Sequence, residues 1–83
     1  NLHPIISFDK RDPEELDRVM KAGREILEAC LAVGGVLTGE HGVGQGKMAY
    51  MALEHGEALD VMRTLKRALD PKNIMNPGKI FTI

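Results

Sequence analysis

Two neighbouring side chains, Glu40 and His41, lie in a segment where four of the eight residues from Gly39 to Gly46 are glycine. A carboxylate beside an imidazole can bind a metal or move protons. Flanking glycines remove the bulk that would hold backbone and ligand apart. An exposed Glu-His pair in a plain loop is also commonly incidental, so the residues by themselves leave both readings open. Two phosphate-binding patterns are excluded. With Gly42 and Gly44 aligned, a dinucleotide fingerprint needs glycine where Lys47 stands, and a Walker A loop needs glycine at His41 and Ser or Thr at Met48.

His3 is the second candidate. It falls in a short apolar run and shares its face of a predicted strand with Ile5. A lone histidine on a strand is usually structural. Taken together, His3 and Glu40 offer one nitrogen and one oxygen, fewer than the three or four protein ligands that zinc normally takes. A metal site built on them needs at least one further ligand. His55, between Glu54 and Gly56, has no partner pattern and reads as surface.

The elements that must position these groups follow from periodicity and punctuation. Residues 2–8 are apolar and bounded by the charged turn formers Asp9 to Asp12, which predicts a buried strand, with Pro4 near its start or at an edge. Asp12-Pro13-Glu14-Glu15 supplies an N-cap, a proline at the first helical position and acidic residues in the first turn. Leu16, Val19, Met20, Gly23, Ile26, Leu27, Cys30 and Val33 then recur at steps of three and four, predicting a helix over about 13–33 with a solvated face of Glu14, Arg18, Lys21, Glu25 and Glu28. Gly34-Gly35 ends it. Val36 to Thr38 reads as a second strand running into the glycine-rich loop. Residues 48–53 suit a turn of helix, and Ala58, Leu59, Met62, Leu65 and Leu69 a helix over about 57–69, stopped by Pro71. The stretch from Asp70 to Lys79 is a turn-rich tail whose Asn76-Pro77-Gly78 suits a type II turn.

A chain of 83 residues holds one modest core. The formal charge of −1 gives no bias toward nucleic acid or an anionic membrane. The single cysteine, Cys30, cannot form an internal disulfide and suits a small core position. No apolar run approaches the roughly 20 residues of a membrane span. These features point to a soluble, cytoplasmic protein. The sequence also opens at Asn1 directly on an apolar run, which reads as a piece of something longer.

Three segments carry a resemblance when taken in order: Asn1-Leu2-His3-Pro4, Gly39-Glu40-His41-Gly42-Val43-Gly44, and the stretch from Asp70-Pro71 through Asn76-Pro77-Gly78-Lys79. Their order and separations resemble the C-terminal part of FAD-linked oxidases of the glycolate oxidase and D-lactate dehydrogenase type, and the match spans nearly the whole chain. The resemblance implies a metal- and flavin-dependent site in which His3 and Glu40 bind a divalent metal, zinc or manganese, and His41 is the catalytic base. In the family an upstream histidine, a few residues before the position of Asn1, completes the protein ligands. Asn76 matches a segment that returns to the flavin, which makes it a candidate amide contact to FAD. On its residues alone the same turn equally suits a rigid closure of the domain.

The implied reaction is oxidation of a 2-hydroxy acid to the 2-oxo acid, with hydride passing to FAD and the hydroxyl proton to His41. Related hydroxyglutarate dehydrogenases tend to carry Asn where this chain has Ile5, which favours a small monocarboxylic substrate such as glycolate or lactate. The expected fold is α+β, with two short strands, two main helices and a turn-rich tail, resembling half of a ferredoxin-like substrate domain. Residues 1–83 are expected to be inert alone, without the flavin-binding domain, and to self-associate through exposed apolar helix faces or strand edges. Companion oxidase subunits are a further expectation. The rival readings are a free-standing α+β module that binds a metal or ligand without redox chemistry, and a purely structural or interaction domain.

Overall fold

The computed structural model describes all residues, 1–83, as helices joined by irregular backbone: α1 (Pro13–Ala32), a 3-10 turn (Met48–Tyr50), α2 (Met51–His55) and α3 (Ala58–Leu69). The chain divides into two compact units that join at the Glu40–His41 peptide bond.

The first unit is organised by α1. The Asp12 side chain accepts from the backbone N–H groups of Glu14 and Glu15 at 3.0 and 3.3 Å, and Pro13 takes the first helical position. A cap of this kind stabilises a helix by about 1 kcal/mol. Just upstream, Arg11 grips the Asp9 carboxylate with Nε and Nη2, both at 3.0 Å, and this pairing holds the Asp9 carboxyl below its ordinary range. Along the solvated face, Arg24 pairs with Glu28 at 3.2 Å and Lys21 with Glu25 at 3.9 Å. Such exposed pairs contribute a few tenths of a kcal/mol each, roughly.

The helix ends in a Schellman motif. Gly34 N–H donates to Leu31 O and Gly35 N–H to Cys30 O, with Gly34 at φ +81°. That conformation is cheap only without a Cβ. Cys30 is half-buried rather than core, and its thiol faces the Val36 carbonyl at 3.3 Å. No residue of α1 is buried, although its apolar stripe is well formed; Met20 and Ile26 remain exposed. Leu37 is the buried apolar residue of this unit.

The second unit is built on α2 and α3, which pack together around the buried side chains of Met51 and Leu59. Acidic Asp60 in the first turn of α3 and basic Lys66 and Arg67 in the last complement the helix dipole. The tail returns over this unit and is tied down at several points. Arg63 Nε donates to Thr82 O at 2.7 Å, and the Ile80 N–H donates to Gly44 O at 2.7 Å. Ile80 itself has φ +70° and sits at the centre of a turn in which Phe81 N–H donates to Lys79 O. This is the rare, strained form of the γ-turn, adopted here by a β-branched residue. Gly78 at φ +71° matches the third position of a type II turn, as Asn76-Pro77-Gly78 predicts.

The α+β expectation is corrected: the structure has three helices and no β-strand. Residues 2–8 and 36–38 have the composition of strands, but a strand exists only through a ladder to a partner, and neither segment forms one. Leu2 and Ile5, read as buried, are 94% and 87% exposed. The resemblance to half of a ferredoxin-like domain therefore does not describe this fold. The helices stand close to where periodicity and capping put them.

Candidate functional site

His3 and Glu40, 37 positions apart, are brought together within the first unit: the imidazole Nε2 lies 2.8 Å from the carboxylate Oε1. Both side chains are about half exposed, at 55% each, so the pair stands at the surface and open to a ligand. His3 is carried by the extended segment that precedes α1, and Glu40 by the bend that follows Leu37. The buried Leu37 and the Schellman turn fix the path of the chain from α1 to Glu40.

Gly39 supports this meeting by close approach. A Cβ at Gly39 would overlap the side-chain amide of Asn1, whose Cγ would lie 2.6 Å away. Asn1 therefore rests on bare backbone one residue before Glu40 and two residues before His3. The φ of Gly39 is not in the left-handed region; Gly42, at +79°, and Gly44, at +54°, are the glycines of this segment that need it. The backbone bends at residues 39–41.

One imidazole nitrogen and one carboxylate oxygen at this separation form a donor pair of the type that zinc or manganese accepts. His3 and Glu40 thus fit two positions of a divalent metal's coordination sphere. His41 follows directly along the chain, exposed, at the start of the second unit.

Asn76 lies in the tail at φ +46°, on the edge of a shallow cavity of about 120 Å³ shared with Lys66, Asn73, Lys79 and Phe81. Sites that enclose small ligands run to roughly 300–1,000 Å³. This cavity cannot enclose an FAD and offers at most an edge contact to one. His55 pairs with its neighbour Glu54 at 3.2 Å on α2 rather than standing as plain surface.

Asp70 is the residue that sequence reasoning missed. It is 6% exposed, and its carboxylate accepts from the N–H groups of Ile74 at 3.0 Å and Met75 at 2.9 Å and from Lys66 Nζ. Lys66 Nζ also donates to Met75 O at 2.6 Å. The Lys66 ammonium first, and then the two backbone donors, outweigh burial and hold the Asp70 carboxyl below its ordinary range. The available signal was an aspartate at a helix end with free backbone N–H groups four and five residues ahead, the pattern by which Asp caps a turn.

No helix is long and apolar enough to cross a membrane. The family described as FAD linked oxidases, C-terminal domain, matches residues 1–80. The chain is 48% identical over 82 residues to glycolate oxidase subunit GlcD of Bacillus subtilis, covering 98% of this chain and 17% of that protein. It is 43% identical to a probable mitochondrial D-lactate dehydrogenase of Danio rerio, covering 100% of this chain and 17% of that one. Against glycolate oxidase subunit GlcD of Escherichia coli the identity is 40%, covering 95% of this chain and 16% of the relative. The chain thus spans about one sixth of these relatives' length. A match over residues 1–80, together with identities of 40–48% to these relatives, leads to one conclusion: the chain belongs to the FAD linked oxidases, in their C-terminal domain.

Proposed function

We propose that this chain supplies the metal- and proton-handling part of an FAD-dependent 2-hydroxy-acid dehydrogenase of the glycolate or D-lactate type. The observation that carries the reading is the 2.8 Å approach of His3 Nε2 to Glu40 Oε1 across 37 positions of sequence. Relatives named for glycolate oxidation and D-lactate oxidation support the substrate class. In this reading residues outside 1–83 enclose the FAD, and the 83 residues are inert alone.

His3 and Glu40 would hold a divalent cation, zinc or manganese, which would polarise the hydroxyl and carboxylate oxygens of a 2-hydroxy acid. By setting where such an ion would sit, Glu40 and His3 would orient the substrate. His41, one residue along, accepts the hydroxyl proton as general base. Asn76 offers its side-chain amide to the flavin. Ile5 presents no polar group where a dicarboxylic substrate would need one, which favours glycolate or lactate. The cytoplasmic assignment and association with companion oxidase subunits belong to the same proposal.

The test is turnover of glycolate, D-lactate and D-2-hydroxyglutarate by the intact FAD-containing protein, before and after chelation and with divalent metal restored. Oxidation of a monocarboxylic 2-hydroxy acid that is lost on chelation and recovered with metal is the expected result. Activity that survives complete metal removal contradicts the assignment of His3 and Glu40. A non-redox binding module, the second reading, would show metal binding without flavin reduction.

A further inference from the structure

We propose that Asp70 and Lys66 are positioning residues that act together to fix the peptide group from which Asn76 projects, an inference that rests on the reading of Asn76 as the flavin contact. The geometry is specific to residue 75. Its N–H is held by Asp70 Oδ2 at 2.9 Å, and its carbonyl is held by Lys66 Nζ at 2.6 Å. That carbonyl belongs to the peptide group whose nitrogen is Asn76's own, so Lys66 sets the plane on which Asn76 is mounted. Asp70 Oδ1 holds the preceding amide, Ile74 N–H, at 3.0 Å.

On the far side the ring of Pro77 fixes its own φ. Beyond it, the Ile80 N–H to Gly44 O bond and the Arg63 to Thr82 O bond anchor the end of the tail. Asn76 is therefore braced from both directions in a left-handed conformation, φ +46°, that an unbraced chain visits rarely except at Gly, Asn and Asp.

Ending α3 does not require this arrangement. Pro71 already disfavours helix at the residue before it, and the chain could leave α3 without burying a carboxylate. Placing Asp70 at 6% exposure makes sense only if its three bonds accomplish something, because a buried carboxylate stripped of donors is strongly unfavourable. Two of the three hold the amides of the two residues immediately before Asn76, and the third holds Lys66, which in turn donates to the Met75 carbonyl. Lys66 and Asn76 also line the same shallow cavity, so the brace and the side chain it mounts face one space.

The deciding experiment is a double-mutant cycle on FAD affinity in the intact protein that carries this chain, by titrating FAD into the apoprotein and following flavin fluorescence and the visible spectrum. The variants are Asn76→Ala, Asp70→Ala, Asp70→Asn and Asp70→Ala combined with Asn76→Ala. Loss of one neutral hydrogen bond sets the expected scale, so Asn76→Ala and Asp70→Ala should each weaken FAD binding by up to about tenfold. The double variant should be no weaker than either single one, because Asp70 acts through Asn76. Asp70→Asn, which keeps an oxygen acceptor for a backbone amide, should recover part of the loss.

Additive effects of Asp70→Ala and Asn76→Ala overturn the positioning role. So does an unchanged affinity in Asp70→Ala when Asn76→Ala weakens binding; both outcomes leave the Asn76 reading standing. No effect of Asn76→Ala overturns that reading and this inference with it. Should Asp70→Ala lose its helical circular dichroism, Lys66→Met releases only the Met75 carbonyl, and its cycle with Asn76→Ala decides on the same criteria.

Discussion

The imidazole of His3 meets the carboxylate of Glu40 at 2.8 Å, and neither residue is buried. Even where both partners are charged, exposed pairs contribute little to stability, a median of about 0–1 kcal/mol, so folding alone gives small reason for this contact. If instead the pair holds a cation, His3→Ala and Glu40→Gln should each lower divalent-metal affinity by about 10–100-fold or more, since even loss of an outer partner of a ligand has that effect. Metal analysis of the intact protein after dialysis against a graded chelator measures this. Full retention of metal in both variants would remove the site.

Gly39→Ala should separate positioning from stability. The added Cβ overlaps the Asn1 side-chain amide, and a shift of the exposed segment at residues 1–3 relieves the overlap, so the cost to folding should stay within about 0.5 kcal/mol. Metal affinity should nevertheless fall, because Asn1 moves together with the segment carrying His3. Adding Asn1→Ala to Gly39→Ala removes the clash and should restore binding. Isothermal titration of the three variants with zinc or manganese checks the pattern; no change in Gly39→Ala refutes the close-approach argument.

The helices were legible because their signals are local. Asp12, Pro13, Glu14 and Glu15 mark the start of α1 without reference to anything distant, and Gly34 marks its end. The strands were misread because strand formation is not local. Residues 2–8 and 36–38 have the right composition, but nothing in composition says whether a partner ladder is present, and none forms. His3 and Glu40 emerged from chemistry and from the resemblance together, since no periodicity links positions 37 apart. Asp70 escaped notice because Pro71 already explained the end of α3, which left its carboxylate with no evident task.

The acid response of the tail follows from Asp70. Its carboxyl is held below the ordinary value of 3.8, chiefly by the Lys66 ammonium. A group whose folded value is depressed stabilises the fold fully above the unfolded value and loses that contribution as pH falls through the folded one. The tail should therefore stay docked above about pH 4, in line with the ordinary carboxylate range, and release at lower pH. Amide shifts of Ile74 and Met75 during an acid titration report this. Release near neutral pH, or amide shifts identical in Asp70→Asn, would contradict the assigned hydrogen bonds.

Residues 1–83 expressed by themselves should self-associate. The apolar stripe of α1 has no buried member, and Val61, Leu65 and Leu69 of α3 are all exposed. Apolar faces of this extent favour association in water, commonly as a two-fold dimer. Light scattering at micromolar concentration should give a mass at least twice that of the 9.1 kDa chain. A stable monomer would show that the chain tolerates these faces in water.

Whether Glu40 and His41 serve oxidation of a 2-hydroxy acid is decided by anaerobic stopped-flow mixing of the intact FAD-containing protein with glycolate or D-lactate. Bleaching of the flavin absorbance follows the chemical step alone. Rapid bleaching is expected in the unmodified protein and, in His41→Asn, a rate lower by about 10²–10⁴-fold, the scale for loss of a general base, with FAD content unchanged. Glu40→Gln should slow the same step. Bleaching at an undiminished rate in His41→Asn would show that His41 is not the base.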